Sequence, residues 1–366
     1  MMKKREFDLI SRTFSSLLVI AMFQPEKTQP SKEVPPQVAI LQMATGYWVS
    51  QSIYVAAKLG IADLLKEGSK SCDELAKSTG VNPRSVYRLM RALASVGVFA
   101  EKESGYFTLT PLAACIQSDV PGSMRAFVIR FGEEHYRAWG DVMHSMQSGA
   151  SAFENLYGMQ LFEYYAQNPE QGKIFDEAMT SLSATENVEI TTRYDFSPIR
   201  KLVDVGGGHG SLLASILISN PTMQGVLFDQ PSVIEGAKDL IEAQQVSERC
   251  SLVAGDCFEE VPQGGDAYIL KYMIHLWDDE RAIAILKNCH RAMVENGKLL
   301  LVEQVIPPGN EPFLGKFADM QMLVMFPGGC ERTETEYRSL FEAAGFHLTK
   351  IVSTRANVSV IEGIRV

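Results

Sequence analysis

A chain of 366 residues, 46% hydrophobic and 21% charged, is long enough for two domains and apolar enough for a sizeable core. Its formal charge of −10 argues against general nucleic-acid binding, which relies on Lys and Arg to neutralise phosphates. Six cysteines form no CxxC pair, so neither a zinc site nor a disulfide framework is expected and a reduced, cytoplasmic setting is the default.

Residues 1–37 open with Lys3, Lys4 and Arg5, and the short apolar run Leu17 to Phe23 gives them the outline of a secretory signal. Ala21-Met22-Phe23 is a poor cleavage site, however, and the run is too short to span a bilayer. The better reading is a flexible arm without a membrane partner, ending in a proline- and charge-rich linker from Gln24 to Gln37.

Residues 38–120 read as a winged helix. Apolar residues recur at helical spacing from Val38 to Lys66, interrupted by Gly60. Ser71-Cys-Asp-Glu74 is a capping box that opens a helix ending near Gly80, and Asn82-Pro83 caps a second running to Gly97. Val98 to Ala100 and Tyr106 to Leu109 flank Gly105 as a hairpin. Arg84, Arg88 and Arg91 invite a DNA-binding reading, but Asp73, Glu74, Glu101 and Glu103 share the surface and count against it.

Residues 121–192 are expected to be helical and rich in aromatic residues and methionine, suited in part to a pocket for a planar apolar ligand. Most of those side chains are ordinary core by the general tendency of such residues.

From 193 to 366 strand and helix alternate, with strands expected near 201–205, 224–229, 250–254, 267–271, 298–303, 347–354 and 358–364. Five strands each followed by a helix imply a parallel sheet covered on both faces. The last two, joined at Arg355-Ala-Asn357, should form a hairpin, so one of them runs antiparallel. Asp278 should start a helix ending at Gly297, and Thr333-Glu-Thr-Glu336 is a second capping box.

The run Leu202-Val-Asp-Val-Gly-Gly-Gly-His-Gly210 turns a buried strand into a helix through glycines, which lets backbone N–H groups approach a ligand. Its spacing does not fit G-x-G-x-x-G, and no Lys-Ser/Thr follows as in a P-loop. A plain structural turn is the alternative. About 20 residues on, where a ribose-binding carboxylate is expected, Asp229 ends a second apolar strand.

Ligands of an open α/β sheet bind beyond the carboxyl ends of its strands. Those ends carry Gly206 to Gly210, Asp229, Asp256-Cys257, Lys271 to His275, and Glu303. Asp256 is placed to accept from an adenine amino group, although it also fits a plain turn aspartate. His275, at a strand end with Glu303 and Glu331 available elsewhere, can take a proton near neutral pH.

Together the motifs Leu202 to Gly210, Phe228-Asp-Gln-Pro231, Gly255-Asp256, Leu270-Lys271 to Asp278, Val302-Glu303 and Gly328 to Thr333 closely resemble the S-adenosylmethionine-dependent small-molecule O-methyltransferases. The resemblance is to the plant caffeate and hydroxyindole type with its bacterial relatives, and covers about residues 38–366 by motif order. It implies a Rossmann-like seven-stranded α/β sheet over 193–366 and a winged-helix dimerisation domain over 38–120, hence a homodimer.

The resemblance puts the catalytic base at His275, with Glu303 and Glu331 in support. It puts S-adenosylmethionine contacts at Gly206, Asp229, Asp256, Cys257 and Lys271, with Asp204, Gly208 and Ser183 joining that set. Phe175, Met179, Trp277 and Asp278 are the expected substrate contacts. Cys257 departs from the bulky apolar residue usual at its place. The implied reaction is methyl transfer to a hydroxyl of a planar apolar small molecule, with no metal. An N-methyltransferase or a non-methylating relative would share every motif. A winged-helix regulator sensing S-adenosylmethionine would have no use for His275, Glu303 and Glu331.

Overall fold

The structure is a computed structural model that describes residues 34–366; the expected signal-like run and most of the arm lie outside the described residues. The described chain forms two compact units. One gathers 34–141 with Leu161–Leu182, the other Val142–Gln160 with Ser183–Val366. The stretch 121–192, expected as one helical segment, is thus shared, and the helix Pro169–Arg193 runs from one unit into the other. No described helix is long and apolar enough to cross a membrane.

The first unit begins with helices Pro36–Ala44, Gly46–Lys58 and Ile61–Leu64. Strand β1 (Lys70–Ser71) precedes helices Cys72–Thr79 and Pro83–Ser95, and β2 (Phe99–Glu103) and β3 (Tyr106–Leu109) form the wing. Both caps form as the residues dictate: the Ser71 hydroxyl accepts from the Glu74 N–H, and the Asn82 carbonyl from the Ser85 N–H. β1 was not foreseen; it pairs antiparallel with β3 and completes a three-stranded sheet. Ile61, Leu75, Val86, Met90, Leu93, Phe99 and Phe107 pack as the core.

The second unit holds β4 (Lys201–Val205), β5 (Gln224–Asp229), β6 (Cys250–Ala254), β7 (Ala267–Lys271), β8 (Lys298–Glu303), β9 (Val305–Ile306), β10 (Arg332–Thr333), β11 (Phe346–Ser353) and β12 (Ser359–Arg365). Seven of these form one sheet in the order β11-β12-β8-β7-β4-β5-β6, in which β12 runs antiparallel to both its neighbours. Successive residues of a strand face opposite sides. Val203 and Val205 therefore enter one core with the helices Asp279–Ala292 and Glu334–Ala343, and Leu202 the other with the helix Ser211–Ser219. Both faces are covered, which is why these strands read as nearly continuous apolar runs.

Two expectations need correction. No helix follows β6: residues 255–266 hold one turn at 257–259 and are otherwise irregular, with the Asp256 carboxylate accepting from the Phe258 N–H and Gly264 at a positive φ. The helix from Asp278 ends at Ala292 rather than Gly297, since Met293 is already extended (φ −79°, ψ 157°); left-handed Asn296 (φ 62°) lies in the turn that leads into β8. A second, unforeseen sheet pairs β9 with β10 in parallel, placing Arg332 opposite Val305. It ties the segment after Glu303 to the segment after Glu331.

Candidate active site

β7 is buried from Ala267 to Leu270 and ends at Lys271. Tyr272 then takes a left-handed backbone (φ 53°), uncommon for a residue with a Cβ. The short helix Ile274–Leu276 follows and carries His275. The Tyr272 ring stacks on the imidazole, with centroids 5.3 Å apart and planes 24° from parallel, and its hydroxyl donates to Glu186 at 2.6 Å.

His275 Nδ1 lies 2.9 Å from Glu331 Oε1 and 3.5 Å from Glu303 Oε2. The other Glu303 oxygen accepts the N–H groups of Met273 at 3.0 Å and Ile274 at 2.9 Å, so Glu303 also shapes the turn that aims the histidine. Nε2 makes no hydrogen bond to a described residue. Burial by itself would lower the His275 pKa, but the negative charges of Glu303 and Glu331 outweigh it and hold the pKa above the ordinary histidine value. Burial also pushes Glu303 up to about 7. The three groups lie within 4.8 Å of one another, close enough to share a proton or to hold a cation.

Arg332 fixes this geometry. Buried to within 2% of its surface, it donates to the carbonyls of Ile274 at 3.1 Å and Trp277 at 2.8 Å and to Asp279 at 2.8 Å. The loop from Gly328 thereby approaches the His275 turn so closely that a Cβ on Gly329 would stand 3.1 Å from the His275 carbonyl oxygen. Only glycine fits there.

After β4 a Cβ on Gly207 would sit 2.6 Å from the Asp204 carboxyl carbon, so the chain packs tightly onto that side chain. The Gly208 N–H donates to Asp229 Oδ2 at 2.8 Å, and the Gln230 N–H to Oδ1 at 2.7 Å. Burial raises the Asp229 pKa against those two bonds. Asp204 is 1% exposed, and neither of its oxygens has a partner among the described residues. Burial, then repulsion from Asp229, pushes it up to about 7. An orphaned carboxyl at a glycine turn fits a cationic ligand such as S-adenosylmethionine, which carries an ammonium and a sulfonium.

Lys271 Nζ pairs with Glu186 at 2.8 Å and donates to Ser183 at 3.1 Å and Asn187 at 3.2 Å. These three come from the helix Pro169–Arg193. Cys257 is buried, its thiol pushed up to about 12 by burial, and Asn288 donates to its carbonyl at 2.7 Å, holding the loop after β6.

The remaining expected contacts have their own protein neighbours. The Asp278 carboxylate accepts from the Arg281 N–H as a helix cap. Trp277 packs edge-on against Phe258 at 4.9 Å, and its buried indole N–H has no partner among the described residues. Phe175 and Met179 belong to the first unit, where Phe175 lies 5.0 Å from the Tyr165 ring and Met179 is half-buried. Sequence reasoning missed Glu186, Asn187, Tyr272, Asn288 and Arg332. Arg332 lies inside a quoted motif and was available as a signal; nothing local marks Glu186.

Residues 139–347 match the O-methyltransferase domain family, and residues 41–119 the O-methyltransferase dimerisation domain. Phenazine O-methyltransferase PhzM from Lysobacter antibioticus is 48% identical over 329 residues, 90% of this chain and 96% of that protein. Phenazine-1-carboxylate N-methyltransferase from Pseudomonas aeruginosa is 33% identical over 326 residues, 89% of this chain and 96% of that one. Among solved structures, the calicheamicin-biosynthesis methyltransferase CalO1, in its SAH-bound form, aligns with a TM-score of 0.80 at 32% identity. That alignment covers 92% of this chain and 99% of CalO1.

Proposed function

This chain belongs to the S-adenosylmethionine-dependent O-methyltransferase family, and we propose that it methylates a hydroxyl on a planar aromatic small molecule, with His275 as general base. The observation that carries this reading is the pairing of His275 Nδ1 with Glu331 at 2.9 Å while Nε2 keeps no partner among the described residues. A carboxylate on Nδ1 holds the proton there and leaves the Nε2 lone pair to accept another.

A phenol has a pKa of about 10, so its proton must leave as the methyl arrives rather than beforehand. His275, raised above the ordinary histidine value by its two glutamates, is a stronger acceptor for that proton than free imidazole. Tyr272, anchored on Glu186, holds the ring in plane. The family's cofactor, when bound, supplies an electrophilic methyl on a sulfonium. Gly206, Gly208, Asp229, Asp256, Cys257, Lys271 and Ser183 are the residues proposed to hold it, with Asp204 facing its positive charge. The phenazine named for the Lysobacter relative makes a flat fused-ring acceptor the leading substrate class.

His275→Gln tests the reading. Turnover should fall by about 10²–10⁴-fold, the usual share of a general base, with S-adenosylmethionine affinity by calorimetry nearly unchanged. Near-normal O-methylation by the variant would remove His275 from the mechanism. The Pseudomonas relative motivates a second reading, transfer to nitrogen. A ring nitrogen has no proton to lose, so that reaction would survive the substitution, and mass spectrometry of the product distinguishes the two.

A further inference from the structure

The helix Pro169–Arg193 enters the second unit at Ser183, and from there Ser183, Glu186 and Asn187 share one of its faces. Glu186 is 4% exposed, and its two oxygens serve two consecutive residues at the end of β7. Oε2 lies 2.8 Å from Lys271 Nζ, while Oε1 accepts from the Tyr272 hydroxyl at 2.6 Å. Successive residues of an extended strand point to opposite sides, so one carboxylate does not ordinarily reach both. The chain leaves the strand at Tyr272, whose left-handed backbone (φ 53°) brings the two side chains to the same partner.

Backbone strain of this kind persists only where the surroundings hold it in place, and it gathers at functional sites. Here the Tyr272 N–H donates to the Val302 carbonyl at 3.2 Å, and Lys271 Nζ lies 5.5 Å from the Tyr272 ring centroid. Burial, then the charge of Glu186, push the Tyr272 hydroxyl well above the ordinary tyrosine value, so it keeps its proton and donates. The ring so held is the one stacked on His275. Asn187, one residue on, accepts from Lys271 at 3.2 Å and donates to the Ser211 hydroxyl at 3.2 Å, where the helix after the glycine turn begins. One turn of helix thus ties the glycine turn, the lysine and the histidine turn together.

We propose that Glu186 is a positioning residue with two separable effects: one oxygen holds the Tyr272 ring against His275, and the other holds Lys271 at the proposed cofactor site. The inference rests on the methyl-transfer reading, yet its first test needs no turnover. In NMR of the full chain with labelled histidine and bound S-adenosylhomocysteine, the carbon-bound ring protons of His275 should be shielded by the stacked tyrosine. Loss of the signal in His275→Gln assigns it. Tyr272→Phe keeps the ring but cuts the hydroxyl bond and should move that signal, whereas Glu186→Gln, whose amide can still bond the hydroxyl, should leave it in place. On a phenolic acceptor, Tyr272→Phe should lower kcat about 10–100-fold, the worth of one hydrogen bond to a charged group, with cofactor affinity nearly unchanged. Glu186→Gln should show the opposite split, most of kcat retained but S-adenosylmethionine bound about 10-fold more weakly as Lys271 loses its counter-charge. A signal that stays put in Tyr272→Phe overturns the proposal, and so does an equal loss of rate and affinity in both variants. Absence of methyl transfer by the wild type, with the signal moving as expected, would count against the methyl-transfer reading alone.

Discussion

His275 Nδ1 and Glu331 Oε1 stand 2.9 Å apart although 56 residues separate them in the chain. The contact exists because β9 and β10 pair their segments and Arg332 binds the Ile274 and Trp277 carbonyls. One carboxylate thereby sets the tautomer, the ring orientation and part of the basicity of the proposed base.

Glu331→Gln keeps that hydrogen bond but removes a charge that raises the His275 pKa. The neutral imidazole is the active form, so the wild-type rate should rise with pH through a midpoint above 6.5, the ordinary histidine value. In the variant that acid limb should move to lower pH. Profiles of turnover against pH, measured on one phenolic acceptor in the presence of a chelator, test this. An unmoved limb would mean that Glu331 does not tune the base, and loss of turnover on chelation would assign the cluster to a metal.

Asp204 gives a pH signature in stability. Its folded pKa, about 7, lies above its ordinary value of 3.8, so the folded state holds the proton more tightly. The stability this contributes is complete below the unfolded value and is lost as pH rises through about 7, by a total of roughly 4 kcal/mol. Asp204→Asn should lack that slope in the cofactor-free protein. His275 and Glu303 titrate alike in both proteins, so their contribution cancels in the difference. Denaturant unfolding at pH 5 and pH 8 gives the answer, and identical slopes would refute the assignment.

Arg332→Met leaves the Ile274 and Trp277 carbonyls without their donors. Breaking such a buried network typically costs about 3 kcal/mol or more. Asp279 is mostly exposed, so the loss should come chiefly from the two carbonyls. Urea unfolding should show a lower midpoint, and turnover should fall as the His275 turn loosens. A loss below about 1 kcal/mol would reduce Arg332 to a surface-like role.

We further expect a homodimer. The helix Pro36–Ala44 buries no residue, and Ile40, Leu41, Met43 and Trp48 are each 60–65% exposed. Apolar side chains grouped in this way mark a surface that another chain covers. Light scattering of the full chain should give twice 40.5 kDa, and Ile40→Glu with Leu41→Glu should halve it. A wild-type monomer at micromolar concentration would end this reading.

Local chemistry determined what could be read ahead of the fold. The winged helix, the seven principal strands to within about a residue, the two capping boxes and the glycine turn all follow from periodicity, side-chain caps and missing Cβ atoms, each within a few residues. His275, Glu303 and Glu331 were legible as strand-end or loop positions, and the family resemblance grouped them as a base with two supports; the distances between them came only from the fold. Only the tertiary structure joined Lys271 to Asn187 across 84 residues, left Asp204 without a partner among the described residues and wrapped Arg332 around the histidine turn. Such contacts depend on which strands become neighbours and how the loops return. That is settled by burying both faces of one sheet at once, a condition on the whole chain that no short stretch encodes.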